Sequence, residues 1–176
     1  ASVAGAINKP YVLLVIGDTV SKQLDGRFIN DFDLRDGAAA FLIGQKKDAQ
    51  PVFISLMADG NGYSSFMVPG GGFRQGLSKD YLIIDLEAIE KYFSDTIPVS
   101  VLSFMEKIKK RFVDYDHMVF GMVNRRLTEK ILYKLNIAND IVPVSTSRYG
   151  YTEGSFIPLL LCEQLHKTEN KESRVL

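Results

Sequence analysis

Short apolar stretches in the first half of the chain predict β-strands. The first, "YVLLVIGD" at residues 11–18, is rich in β-branched residues, as is typical of a strand buried on both faces. "AAAFLIGQ" at residues 38–45 begins with small residues and predicts a second buried strand, and residues 51–60 predict a third. Shorter strands are predicted at the start of "SSFMVPGGG" and at residues 81–85.

A long amphipathic helix is predicted after these strands. Its apolar positions recur at spacings of three and four, which places them on one face of a helix. They are Leu86, Ile89, Phe93, Ile97, Val101, Phe104, Ile108 and Phe112. Asp85 is suited to cap its N-terminus. Pro98 is expected to kink this helix or to divide it in two.

The second half continues the alternation of strands and helices. "DHMVFGMV" and "IVPVSTS" predict strands on either side of a shorter helix, which Asn124 caps and which ends near Asn136 or Asn139. Thr152 is suited to cap a last helix that opens with "FIPLLLC". A helix without a polar stripe must be covered on more than one side. The whole pattern therefore predicts a layered α/β fold.

Composition and charge exclude several classes of function. The 176 residues are 46% hydrophobic, enough for one packed domain or a large piece of one. The formal net charge is zero, so no nucleic-acid partner is expected, and no apolar run of about 18 residues predicts a membrane span. The termini, "ASVAGAIN" and "ESRVL", read as the end of a helix and the start of a strand, so we expect a fragment.

Few residues offer chemistry of their own. Cys162 is the single cysteine, which excludes a disulfide framework and a multi-cysteine zinc site and fits a reducing cytoplasm. Within its apolar helix we expect it to be buried and inert, although His166 follows four residues later. The glycine run at residues 69–76 matches neither phosphate-loop pattern, and the acids at 31, 33 and 36 lack the calcium-loop spacing, so both predict surface loops.

A cluster of basic residues marks the shorter helix. Its members are Arg125, Arg126, Lys130 and Lys134. One interpretation is an ordinary solvated face. The other is a docking surface for an acidic or phosphate-bearing partner.

Two motifs in this half resemble the 3-oxoacyl-acyl-carrier-protein synthase III family of the thiolase-like superfamily. "MVFGMVNRRLTEKILYKLNI" is similar to the family's V-P-H-Q-A-N-x-R-I run, and "YGYTEGSFIP" to its Y/H-G-N-T-S-x-A-S-x-P turn. "LRDGAAAFLIG" and "SLMADGNGYSSFMVPGGG" are similar to earlier family segments in the same order. The resemblance implies a thiolase-like α-β-α-β-α layered fold, incomplete in this chain. Residues 1–45 would end its N-terminal half, and residues 46–176 would form most of its C-terminal half.

The resemblance also implies a Cys–His–Asn triad, and the two of its positions that fall within this sequence carry other residues. The family's cysteine would precede Ala1, its histidine position falls on Gly121, and its asparagine position falls on Tyr151. The possible substitutes are Tyr151 itself and Glu153, which could act as a base or merely sit near a helix N-terminus. Losing one donor to a developing oxyanion costs about 100- to 1,000-fold in rate.

Other family positions are kept, so two functions stay open. Asn124, Gly150 and Thr152 match the structural motif, and Arg125, Arg126 and Lys130 are the candidate docking residues for a carrier protein or CoA. The resemblance implies acyl-carrier-protein or CoA thioesters as partners, a homodimer or a heterodimer with a ketosynthase, a cytoplasmic location, and no cofactor or metal. The chain is either a ketosynthase III-like acyltransferase with unusual residues or a catalytically silent partner subunit or binding module.

Overall fold

The computed structural model describes residues 10–25, 33–44, 47, 51–70, 80–138, 142, 149–167 and 174–176. Its longest sheet is a two-stranded antiparallel ribbon of β1 (Tyr11–Asp18) and β2 (Gly37–Gly44). The register is continuous from Tyr11 opposite Gly44 to Asp18 opposite Gly37. Both strands were predicted from their apolar stretches, and both are confirmed.

The predictions that β1 is buried on both faces and that β2 is a buried strand are wrong for the described residues, and Leu42 of β2 is 69% exposed. Leu13 and Val15 are each 65% exposed. A fully buried strand needs a packing layer above and below the sheet. Within the described part of the chain, β1 instead receives cover at its C-terminal end, where the turn before the last helix packs on it.

The strand predicted at residues 51–60 is also absent. This segment forms no strand, and its Leu56 is 90% exposed. An apolar run forms a strand only where a neighbouring strand supplies its hydrogen-bond partners, and none of the described strands pairs with it. The two short strands were predicted correctly: β3 (Phe66–Met67) and β4 (Ile83–Ile84) pair antiparallel.

The strand predicted at "DHMVFGMV" is reduced to a short parallel contact with the C-terminal residues. His117 forms an isolated bridge with Val175, and the Val119 amide donates to the Leu176 carbonyl at 2.8 Å. Three described residues are too short a partner for a regular ladder. The strand predicted at "IVPVSTS" lies outside the described residues except for Val142, as do most of the glycine run and Asp31.

The long helix, α1 (Leu86–Ile108), begins as predicted, with the Asp85 carboxylate accepting from the Ala88 amide at 3.0 Å. Pro98 lies inside it without dividing it. Proline has no amide hydrogen, so the Ser94 carbonyl four residues earlier loses its helical partner. The Lys134 ammonium donates to that carbonyl at 2.8 Å and so replaces the missing donor.

The shorter helix, α2 (Arg125–Leu135), also agrees with its sequence. The Leu127 amide donates to the Asn124 side chain at 2.8 Å, and Asn136 ends the helix in the left-handed conformation at φ 55°. Its apolar face forms the centre of the larger core. The buried members of that core are Met118, Leu127, Ile131, Leu132, Leu135, Ile137 and Val142.

The last helix, α3 (Phe156–Lys167), is covered on one side only. Phe156, Pro158 and Leu160 are buried, whereas Ile157 is 47% exposed. Cys162 is exposed, which corrects the expectation that it is a buried hydrophobe. The described residues supply no second layer over this helix, so its apolar composition alone does not bury it.

Two searches of the described residues bear on function. None of the described helices is both long and apolar enough to cross a membrane. The same residues hold no group of three acidic, histidine or cysteine side chains placed to bind a metal ion.

We expect Lys134→Met to destabilise the chain by about 1–2 kcal/mol, because it leaves the buried Ser94 carbonyl without a donor. In a Pro98→Ala background the restored amide supplies that donor, so the same change should cost clearly less. Urea denaturation of the four variants measures both costs. Equal costs in the two backgrounds would show that Lys134 does not compensate for Pro98.

Candidate functional site

The turn that carries Tyr151 is fixed by its backbone. The Tyr151 amide donates to the Asp33 carbonyl at 2.6 Å, and the Arg35 amide donates to the Tyr151 carbonyl at 3.0 Å. Gly150 precedes it at φ 67°, where a Cβ atom would lie 2.6 Å from Arg35 Cγ. The positive φ therefore favours glycine at residue 150, and the exposed Arg35 side chain would have to shift to admit any Cβ atom there.

The Tyr151 side chain is part of the interior. Its ring meets Phe156 edge to face with centroids 5.4 Å apart, and it packs on the buried cluster of Val20, Leu24 and Leu34. Burial, followed by the charges of Glu153 and Asp18, raises the pKa of Tyr151 to about 12. The phenol is thus neutral at physiological pH and cannot serve as a base there.

Glu153 opens a single 3₁₀ turn, Glu153–Ser155, that leads into α3. Its φ of 52° is in the left-handed region, which is uncommon for a residue with a side chain. Burial and the neighbouring Asp18 raise the pKa of Glu153 above its ordinary value. A carboxyl group with a raised pKa is a better base once ionised but is ionised less often at a given pH.

The Thr152 side chain does not cap α3, contrary to the prediction. It precedes the 3₁₀ turn, makes no capping hydrogen bond, and its buried hydroxyl has no partner. The chain enters α3 through this extra turn, which separates Thr152 from the first α-helical amides. The Ser155 hydroxyl donates back to the Thr152 carbonyl at 2.8 Å and stabilises the turn instead.

Gly121 lies against the first turn of α3. A Cβ atom there would be 2.6 Å from Ile157 Cγ1, 2.9 Å from Ile157 Cδ1 and 3.9 Å from Phe156 Cδ1. Real Cβ atoms essentially never come within 3.0 Å of another heavy atom. The Ile157 side chain, which is 47% exposed, therefore occupies the space beside residue 121 and would have to turn aside for a histidine there.

Phe156 connects the two positions where the resemblance places the histidine and the asparagine. Its Cδ1 atom lies 3.9 Å from where a Cβ atom on Gly121 would be, and its ring meets the Tyr151 ring edge to face. Phe156 is 1% exposed. In the quoted turn motif the second serine falls on Phe156. We did not predict a role for Phe156, although the motif comparison shows that it replaces a serine.

The asparagine that enters α2 joins that helix to α1. Besides capping α2, Asn124 donates to Glu90 at 3.1 Å, and Lys130 donates to the other oxygen of the same carboxylate at 3.1 Å. Burial would raise the pKa of Glu90, but these hydrogen bonds and the nearby Arg126 and Lys130 charges outweigh it and lower the pKa. Glu90 therefore stays ionised and holds the two helices together.

The three candidate docking residues are all paired within the chain. Arg126 lies 3.4 Å from Glu90, Lys130 shares the same carboxylate oxygen, and Arg125 pairs with Glu129 at 2.7 Å. The two arginine side chains remain mostly exposed. Arg126 lines an open cleft of about 340 Å³. The other residues that line it are Glu129, Lys130, Tyr133 and Lys134. The basic cluster is thus accessible but largely neutralised.

The chain is similar in sequence to known proteins. Residues 105–176 match the family model described as 3-oxoacyl-[acyl-carrier-protein (ACP)] synthase III C terminal. Similar curated relatives are β-ketoacyl-[acyl-carrier-protein] synthase III of Streptococcus agalactiae serotype III, 32% identical, and of Clostridium perfringens strain SM101, 25% identical. These alignments cover 85% and 90% of this chain but 48% and 52% of the relatives. The chain therefore spans about half the length of the curated relatives it matches.

Solved structures agree on the fold. A crystal structure of a 3-oxoacyl-(acyl-carrier-protein) synthase III superposes with a TM-score of 0.85 at 20% identity, covering 99% of this chain and 58% of the other. The chain accordingly has the thiolase-like α/β fold that the resemblance implied. Its C-terminal residues match the 3-oxoacyl-acyl-carrier-protein synthase III family model, and the chain is similar to about half of a full-length member of that family.

We expect Gly121→Ala to destabilise the chain by about 1–3 kcal/mol, because the added methyl group overlaps Ile157. The same change in an Ile157→Ala background should cost much less, since the overlapping atoms are gone. Denaturant midpoints of the four variants measure the coupling. An equal cost in both backgrounds would contradict the packing described for Gly121.

Proposed function

We propose that this chain is part of a ketosynthase III-like protein that keeps the family scaffold but does not carry out decarboxylative condensation. The observation that carries the proposal is the contact of Ile157 with Gly121, at 2.6 Å from where a Cβ atom would lie. The family position for an imidazole has no side chain here, and a neighbouring side chain occupies the space.

The chemistry of the second position supports the same proposal. Tyr151 replaces an amide with a ring that packs in the interior, and its pKa of about 12 keeps the phenol protonated. A phenol can donate one hydrogen bond, but a ring set between Phe156 and the Leu34 cluster does not reproduce the position of an amide. With both donors replaced, the rate loss from oxyanion stabilisation is expected to exceed the roughly 100- to 1,000-fold typical of one donor.

The competing proposal is an acyltransferase that uses Glu153 as its base. The raised pKa of Glu153 and its place beside Tyr151 favour this reading. The packing of Phe156 between residues 121 and 151 favours the silent protein. We therefore place the acyltransferase second.

A silent member of this family would act through its surfaces. The relatives are named as acyl-carrier-protein synthases, so we propose thioesters of CoA or of acyl carrier protein as ligands in fatty-acid or polyketide-type biosynthesis, in the cytoplasm. The basic cleft beside Arg126 suits a phosphate-bearing or acidic partner. Because the chain spans about half of its relatives, we expect the exposed apolar side chains of β1 to be covered by the rest of the family fold or by a paired ketosynthase chain.

The decisive test of activity uses the full-length protein, purified alone and mixed with acyl-CoA and malonyl-acyl-carrier protein. We expect no carbon dioxide release above background, measured with labelled malonyl groups, because neither family side chain that assists decarboxylation is present. Turnover by the protein alone would overturn the silent-protein proposal. Loss of that turnover in Glu153→Gln would then favour the second candidate.

A second experiment restores the family side chains and tests for a gain of activity. Tyr151→Asn with Gly121→His reinstates the family side chains, but the structure requires Ile157→Ala as well to make room for the imidazole. Condensation by the triple variant, where a cysteine nucleophile is present, would support a centre that has lost its catalytic groups.

Docking at the basic cleft is tested separately. Arg126→Glu should weaken binding of acyl carrier protein several-fold at low salt, and less at high salt, because exposed charges are screened. The Arg111→Glu variant reverses a similarly exposed arginine away from this cleft and serves as the control. Affinities are measured by fluorescence anisotropy. Equal affinities of the wild type and Arg126→Glu would show that the basic cluster is an ordinary solvated face and not a docking surface.

A further inference from the structure

One carboxylate oxygen beside the turn that enters α3 is buried without a hydrogen-bond partner. This atom is Oδ2 of Asp18, the residue that ends β1. A Cβ atom on Gly154 would lie 3.2 Å from this oxygen, so the turn and the carboxylate are in close contact. A buried acceptor without a donor is costly, and its cost rises when another negative charge is near.

Glu153 brings a second carboxyl group to the same place. Its backbone adopts φ 52°, a strained conformation for a residue with a side chain, which persists only where the surrounding structure imposes it. Its side chain is partly buried. The turn therefore keeps a strained residue with an ionisable group where glycine or a neutral residue would fit more easily.

Among the described residues, the elements packed on this turn supply little positive charge. The end of β1 contributes Asp18, the β2 range has no ionisable side chain, and the first ionisable groups of α3 are Cys162 and Glu163. In the segment before β2, Arg35 pairs with Asp33 at 3.1 Å.

Two further groups in this region carry no positive charge. In the same segment, Asp36 accepts from the Ser21 amide and hydroxyl. The remaining neighbour is the neutral phenol of Tyr151, whose pKa the Glu153 and Asp18 charges raise.

We propose that Glu153 is a proton-controlled latch, which holds the turn of residues 151–155 against β1 when protonated and loosens it when ionised. The ionised form places a second negative charge beside the buried Asp18 carboxylate. The protonated form removes that repulsion. The latch does not depend on whether the protein catalyses condensation, so it can fail or succeed independently of the proposed function.

The direction of the pH effect follows from the protonation of Glu153. Burial and Asp18 raise its pKa in the folded chain above the ordinary value of the unfolded chain. The folded chain therefore holds the proton over a pH range in which the unfolded chain has released it. The stabilisation is fully present below the unfolded pKa and is lost as the pH rises through the folded pKa.

The test compares wild type with Glu153→Gln, which keeps the shape of the side chain and removes its charge. Hydrogen exchange of the backbone amides in residues 149–160 is measured at about pH 5 and pH 8, with variants compared at the same pH. We expect several-fold slower exchange in Glu153→Gln at pH 8 and a smaller difference at pH 5. Glu106→Gln, at an exposed position on α1, is the matched control and should behave as wild type at both values.

A second variant keeps the proposal testable if the first folds poorly. Asp18→Asn removes the opposing charge, so the difference in exchange between pH 5 and pH 8 should shrink relative to wild type. If either folded variant retained the full wild-type dependence on pH, the latch would be overturned.

Discussion

Ile157 and Phe156 pack against Gly121, and this contact sets what the centre of the molecule can do. The Ile157 side chain lies where any side chain on residue 121 would have to extend, and Phe156 continues the same packing to the ring of Tyr151. Three apolar or aromatic groups thus occupy a region where the family motifs have imidazole, amide and hydroxyl side chains. Dispersion and burial stabilise such packing, but it offers no donor to a developing negative charge.

The framework around this centre is retained by interactions that do not need the catalytic groups. Asn124 still caps α2 and reaches Glu90, which also binds Lys130. Lys134 bridges to the Ser94 carbonyl that Pro98 leaves unpaired. These contacts join α1 to α2 through polar groups, so this part of the fold does not depend on the side chains at residues 121 and 151. Persistence of the N-x-R segment is therefore evidence for the scaffold and not for activity.

The sequence predicted the elements whose signals are local. Asp85 and Asn124 cap helices because a short side-chain acceptor before an amphipathic run is sufficient, and both predictions are confirmed. Predictions that depended on neighbouring layers failed. Residues 51–60 and the faces of β1 are apolar enough to be buried, but burial requires a covering surface that the described residues do not provide.

The candidate site could likewise be predicted only in part from the sequence. The motif comparison located the substituted positions Gly121 and Tyr151, but it could not tell that Ile157 fills the space beside one and that Phe156 links both. Asp18 was not a candidate at all, because its role depends on β1 packing on the turn at Gly154, a contact across more than 130 residues of sequence. Side chains that act through close packing between distant segments are the ones that a linear pattern does not reveal.

The packing at Gly121 can be measured directly by methyl-labelled NMR of the isoleucine side chains. We predict strong nuclear Overhauser contacts from the Ile157 Cδ1 methyl group to the Gly121 α-protons, with a weaker contact from those α-protons to the Phe156 ring. Absence of both contacts in an otherwise folded chain, with Ile157 averaging over its rotamers, would mean that the centre is open and would contradict the account.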